Sequence, residues 1–246
     1  MTDTFRKTGP ISDLPLFEAE VDGLDELRKA DEIRVPDVFD CGVEDGCAYI
    51  VLEHLPMEHA SNDTARRFGH QLARLHRHTA DRFGWFRDNT IGPTPQHNDW
   101  ADNWIGFFGE KRLDFQVRLA SRNGYDLQDE GSKLRKRLPE LFEGYDPEPS
   151  LLHGDLWGGN WGSVAGEPVI FDPAVYYGDR ESDIAMTMLF GGFGRAFYEG
   201  YAAEWPMAAG HERRIKLYQL YHVLNHLNLF GSSYLGRARQ LLRDLV

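Results

Sequence analysis

The stretch Leu151-Leu152-His153-Gly154-Asp155-Leu156-Trp157-Gly158-Gly159-Asn160-Trp161 decides the reading of this chain. Two apolar residues end a strand, and Asp155 then opens a loop that reaches Asn160 five residues later. That interval is the one a phosphoryl-transfer loop requires. The aspartate must approach an acceptor hydroxyl, while the asparagine carbonyl turns back toward a metal beside the triphosphate. Gly158 and Gly159 allow the backbone to make that turn without a Cβ clash.

Twelve residues past Asn160 comes Val169-Ile170-Phe171-Asp172-Pro173. Three apolar residues ending in an aspartate suit a carboxylate held at the end of a strand. Magnesium takes one or two carboxylates and completes its shell with substrate phosphates and water. Asn160 and Asp172 together would supply the protein's share. Either short motif alone is a common polar turn; the two in this order, each after an apolar strand, carry the assignment.

Upstream, Thr4-Phe5-Arg6-Lys7 reads as a short strand closed by a turn at Gly9-Pro10. Phe17, Val21, Leu24 and Leu27 give helical spacing from Asp13 to about Asp31, with Asp13 as N-cap and Pro15 in the first turn. Two strands are predicted at 36–42 and 47–53, joined by the Asp45-Gly46 turn. Pro56 ends that region. Helices are predicted over 61–79, 99–122 and 128–143, with a loop over 83–98. Short strands follow over 150–180, then helices over 181–246. The spacing therefore predicts a small mixed lobe at 1–55 and a mainly helical lobe at 56–246, an α+β architecture.

Composition excludes several classes. The net charge of -12, with 39 acidic against 27 basic residues, argues against nucleic-acid binding, which needs a basic footprint. No apolar run is long enough to span a membrane, and MTDTFRKTGP lacks a signal-peptide profile. Cys41 and Cys47 form no metal or disulfide framework and read as reduced thiols. A cytoplasmic protein is expected. His222 and His226 share a helix face without a third ligand and read as structural. Tyr218, Tyr221, Leu224, Leu227 and Phe230 read as a core stripe.

HGDLWGGN followed by FDPAVYYGDRESDIAM resembles the signature of the fructosamine kinase family. That family stands with aminoglycoside phosphotransferases and choline kinases in the two-lobed protein-kinase-like fold. Pro95-Gln96-His97-Asn98-Asp99-Trp100, Trp104-Ile105-Gly106-Phe107-Phe108 and Leu189-Phe190-Gly191-Gly192-Phe193 also fit, so the resemblance runs from Phe5 to the last helix. It implies ATP as phosphoryl donor, Mg2+ as cofactor, and a ketosamine as acceptor, free or linked to protein. By position it implies Asp155 as general base, Asn160 and Asp172 on the metal, and Lys7 on the α and β phosphates. Glu20 rather than Glu18 would partner Lys7, and Glu53, His54 and Leu55 would form the hinge beside adenine. Trp157, Asn98, Trp100 and Asp179 are candidate substrate residues, and Trp104 reads as core. Asp183, before an apolar helix, reads as an N-cap.

Family members carry strands and a glycine-containing phosphate loop ahead of the lysine position. Here Met1 stands almost directly before Lys7, so that part of the small lobe is expected to be missing. An exposed sheet edge, and a homodimer through it, are the resulting expectations. Two other functions stay open from the residues: a kinase of another small alcohol, such as an aminoglycoside or choline, or a catalytically silent binding protein.

Overall fold

A computed structural model describes residues 3–246. Its first element, β1 (Thr4–Pro10), leads through a short 3-10 turn into α1 (Leu14–Ala30), followed by β2 (Val38–Glu44) and β3 (Cys47–Glu53). The three strands form one antiparallel sheet in the order β1-β3-β2. β3 alternates as a half-buried strand must: Ala48, Ile50 and Leu52 are buried and the residues between them are not. Lys7 lies opposite Ile50, which puts it on the inward face. β1 runs through Gly9-Pro10, where a turn is predicted, because backbone pairing with Ala48 and Cys47 continues to its end.

Helix α1 lies across the inner face of this sheet and buries Phe17, Leu24 and Leu27. Asp13 precedes it without a side-chain capping bond, and Asp31 ends it in a left-handed turn at φ 53°. Gly23 sets the height of the helix. A Cβ there would lie 3.3 Å from both Pro173 and Val175, so glycine lets α1 rest directly on the segment after Asp172. Glu20, one turn earlier, is carried to the same place.

The remainder begins with α2 (Asn62–Leu75), whose first turn is capped by Ser61 accepting from the Thr64 N–H at 3.0 Å. The predicted loop at 83–98 contains a small hairpin of β4 (Asn89–Ile91) and β5 (Thr94–Gln96). The helix predicted from 99 starts only at Trp104: α3 (Trp104–Phe107) passes through a π-helical stretch (Phe108–Asp114) into α4 (Phe115–Arg122), and α5 (Gln128–Leu141) follows. Next come β6 (Ser150–Leu152), the hairpin of β7 (Trp161–Val164) and β8 (Glu167–Ile170), and β9 (Tyr176–Gly178), which pairs antiparallel with β6.

Helices α6 (Glu181–Thr187), α7 (Arg195–Glu204), α8 (His211–Phe230) and α9 (Leu235–Leu245) complete the chain. α8 is buried around most of its circumference, with Gln219, His222 and Asn225 enclosed beside its apolar residues. Tyr218, Tyr221, Leu224 and Leu227 are core, whereas Phe230 at its end is 65% exposed. Trp104 is core as read, with its indole N–H donated to the Tyr218 hydroxyl at 2.9 Å. Among the described residues no helix is long and apolar enough to cross a membrane. Cys41 and Cys47 are free thiols.

Candidate active site

β6 delivers the chain into His153 and Asp155, and β8 delivers it into Asp172; backbone hydrogen bonds tie the two exits together. Phe171 N–H donates to the Asn160 carbonyl at 3.1 Å, and Ala174 N–H to the His153 carbonyl at 2.8 Å. The buried His153 ring donates from Nε2 to the Phe171 carbonyl at 3.0 Å. Its Nδ1 is therefore an acceptor, and it receives the Asp155 N–H at 3.3 Å. Burial pushes the His153 pKa down, which favours this neutral form. Gly154 sits at φ 84° against Ala174, whose carbonyl would be 2.0 Å from a Cβ, so no other residue fits.

Asn160 is buried and its amide N–H groups face inward, toward the carbonyls of Asp155 at 2.9 Å and Asp172 at 3.4 Å. Its carbonyl oxygen is left for the cleft. That cleft, of about 260 Å³, is lined by Lys7, Glu20, Asp155, Trp157, Asn160 and Asp172 among others. Burial, and then the neighbouring Asp183 and Asp172 carboxylates, push the Asp155 pKa up to about 7. Lys7 reaches across from the sheet and donates to Glu20 at 2.7 Å and to Asp172 at 2.5 Å. Although burial works against its charge, these two carboxylates hold the Lys7 pKa above its ordinary value. Trp157 stands at the cleft with 42% of its surface exposed.

A second cavity, of about 340 Å³, lies on the other side of Lys7 and Asp172. Phe5, Pro36, Leu52, Met57 and Phe171 make it apolar, and Glu53, His54 and Leu55 form one wall. The Glu53 carboxylate is turned to Arg34 at 2.5 Å, and the Glu53 and His54 N–H groups donate to the Asp37 and Asp3 carbonyls at 2.7 and 2.9 Å.

Three candidates from the sequence are placed elsewhere. Asn98 is fully buried and its carboxamide is spent on Arg112, Asn89 and the Arg87 carbonyl. Asp179 is also fully buried, accepting from Tyr145 and Tyr218. Burial and the nearby Glu181 raise its pKa to about 6. Trp100 packs against Tyr177, with ring centroids 6.2 Å apart, and does not line the cleft. The polar atoms of Asn98 and Asp179 are taken by buried partners, and Asp179 borders a separate cavity beside Tyr145 and Trp205, while Trp100 stays exposed outside the cleft.

Sequence reading missed the role of Asp183. It lies within the first turn of α6, not at its N-cap, and its carboxylate accepts the N–H groups of His153 at 2.8 Å and Gly154 at 2.9 Å. The buried His76 adds a third donor at 3.2 Å, while its other nitrogen accepts the Tyr201 hydroxyl at 2.8 Å. Burial alone would raise the Asp183 carboxyl; the His76 hydrogen bond and the surrounding donors hold it below its ordinary range.

With this geometry in view, the fructosamine kinase family profile matches residues 1–246. The chain belongs to the fructosamine kinase family. It is 45% identical over 244 residues to a protein named "probable ketoamine kinase" from Synechocystis sp., covering 98% of this chain and 82% of that one. It is 42% identical over 249 residues to the chloroplastic protein-ribulosamine 3-kinase of Arabidopsis thaliana, covering 99% of this chain and 74% of the other. A crystal structure described as "putative fructosamine-3-kinase" from Haemophilus somnus superposes with a TM-score of 0.92 at 31% identity, over 99% of this chain and 83% of that one. Solved aminoglycoside phosphotransferases share the fold alone. This member of the fructosamine kinase family therefore has the two-lobed protein-kinase-like fold that the resemblance implied.

Proposed function

We propose that the chain transfers the terminal phosphoryl group of ATP to a sugar hydroxyl of a ketosamine, free or attached to protein, with Asp155 as general base. The observation that carries this is the joining of Asp155, Asn160 and Asp172 into one hydrogen-bonded unit at a cleft that Lys7 closes from the opposite side. The substrate class follows the family and the relatives named for ketoamines and ribulosamines.

In this reading residues 1–55 bind the nucleotide and 56–246 carry the acceptor and the chemistry. Adenine enters the apolar second cavity beside the Glu53–Leu55 backbone, and Lys7, kept charged by Glu20, meets the phosphates. The donor set fits Mg2+: a carboxylate from Asp172 and a carbonyl oxygen from Asn160 are hard ligands, and among the described residues no cluster of three His, Cys, Asp or Glu forms a full cage. When bound, the ion would neutralise charge on the transferring phosphoryl group. Trp157 packs against the C–H face of the sugar. The hydroxyl oxygen forms a bond to phosphorus as the bond to the ADP oxygen breaks, and its proton passes to Asp155. A carboxylate with pKa near 7 is a stronger base than an ordinary aspartate and is still substantially ionised at neutral pH.

We place this activity in the cytoplasm, which suits two free thiols. The edge of β1, unpaired among the described residues, would join a second copy; a monomeric sedimentation profile would refute that pairing. The activity is tested with ATP, Mg2+ and a panel of fructosyl-lysine, ribulosyl-lysine, choline and an aminoglycoside. ADP release and a new phosphomonoester signal with the ketosamines are expected. Turnover confined to choline or the aminoglycoside would replace the substrate assignment, and no turnover with any acceptor would remove the enzymatic one.

A further inference from the structure

Asp172 adopts φ 55°, a left-handed conformation uncommon outside glycine and one that aspartate takes more readily than most residues. Pro173 follows and offers no N–H. The pair is therefore fixed by the peptides on either side. Upstream, Phe171 is tied at both its N–H and its carbonyl to the catalytic loop. Downstream, Ala174 is tied to His153 through its N–H only.

The carbonyls beyond Pro173 are held by a different set of residues. Gln96 Nε2 donates to the Ala174 carbonyl at 3.1 Å, and Asn89 Nδ2 donates to the Val175 carbonyl at 2.8 Å. Gln96 and Asn98 both donate to Asn89 Oδ1 at 2.9 Å. Tyr221 donates to Gln96 Oε1 at 2.9 Å, and Arg112 donates to Asn98 Oδ1 at 2.6 Å.

Arg112 fixes the direction of the whole relay. It is fully buried within the π-helical stretch, stacked over Phe107 at 4.7 Å and Tyr176 at 4.3 Å, and no carboxylate pairs with it among the described residues. Its guanidinium can only donate. Asn98 must therefore present its oxygen to Arg112 and its amide N–H groups to Asn89. Asn89 must then present its own N–H groups to Val175. A reversed amide anywhere would set donor against donor inside the protein, at a high desolvation cost.

We propose that Gln96 is a positioning residue for Asp172. Together with Asn89, and oriented by the buried Arg112 through Asn98, it clamps the peptides after Pro173 and keeps the Asp172 carboxylate left-handed and facing the cleft. Gln96 itself does not line the cleft, so it acts through the backbone alone. The proposal rests on the reading of Asp172 as a Mg2+ residue.

The test is Mg2+-dependent ATP binding, followed by calorimetry, in Gln96→Met, Asp172→Ala and Leu242→Ala, with a melting curve for each. Gln96→Met keeps the side-chain volume and removes the donor. The Mg2+ concentration for half-maximal ATP binding should rise about tenfold in it, the usual size of a lost outer-shell contact. Leu242→Ala, a buried α9 residue outside the site, should lower the melting temperature and leave the Mg2+ dependence unchanged. If Gln96→Met does not fold, Gln96→Ser is read the same way. An unchanged Mg2+ dependence in the Gln96 variant, with the dependence lost in Asp172→Ala, overturns the positioning role alone. Dependence retained in Asp172→Ala overturns the metal assignment, and the positioning role with it.

Discussion

Lys7 donates to the Asp172 carboxylate at 2.5 Å while its other bond holds Glu20, so one ammonium joins the sheet, helix α1 and the end of β8. The same ammonium and the same carboxylate are the groups assigned to the phosphates and to Mg2+. In the proposed reading, nucleotide entry exchanges this ion pair for contacts to the ligand. Removing the ammonium loses a charged donor aimed at the phosphates, and such a loss in a preorganised site costs about 10²–10³ in turnover. Lys7→Met should fall by that factor in kcat/KM for ATP. Lys7→Arg should not restore it, because a planar fork cannot place one compact charge between Glu20 and Asp172. Steady-state kinetics at saturating acceptor checks both, and near wild-type values in Lys7→Met would remove Lys7 from the nucleotide site.

The raised pKa of Asp155 has two consequences with opposite value to the protein. As the proposed base it must be ionised, so kcat/KM for the acceptor should climb with pH along a limb of unit slope, its midpoint at or below about 7 because Mg2+ on Asp172 would offset one of the carboxylates that raise it. Stability runs the other way. The folded pKa lies above the ordinary aspartate value, so between about pH 4 and pH 7 the folded state binds more protons than the unfolded one. Ionisation of Asp155 therefore costs stability, increasingly up to pH 7 and in full above it. Asp155→Asn should be inactive yet melt several degrees higher than the wild type at pH 8, the gap closing toward pH 4. Thermal unfolding across that pH range measures it. A variant no more stable at pH 8 would show that the carboxylate is not held against its charge.

The grouping of Asp155, Asn160 and Asp172 at one cleft was legible in the sequence because it is local. Asp155, Asn160 and Asp172 lie in two short loops whose preceding apolar residues announce the strands. Lys7 and Glu20 needed the family register, since a lysine near a chain end has no pattern of its own. What escaped was set by contacts distant in sequence. The sequence does not show that Arg112 takes the Asn98 oxygen or that Tyr145 and Tyr218 both donate to Asp179. The π-helical stretch was invisible because Phe107, Phe108 and Leu113 keep an apolar face that ordinary helical spacing also gives. Phe230 continued the stripe of α8 in spacing, but the helix outruns the core at that point.

Asp183 is the strongest case of a role that only tertiary structure reveals, and its removal should be felt in both stability and turnover. Asp183→Ala leaves the His153 and Gly154 N–H groups and the His76 ring donor buried without an acceptor. Each orphaned donor costs on the order of 1–3 kcal/mol, so the variant should lose about 3 kcal/mol or more, a large share of a typical domain's stability. Asp183→Asn tests the geometry more sharply. Its carbonyl can satisfy one backbone donor, but its amide then meets the other donor-to-donor. It should therefore remain destabilised despite its matching size, and kcat should drop more than KM changes, because the loop that carries Asp155 is displaced. Urea unfolding, with kinetics on the folded fraction, separates the two effects. Wild-type stability and turnover in Asp183→Asn would mean that the catalytic loop is held by His153 and Gly154 packing alone, without the carboxylate.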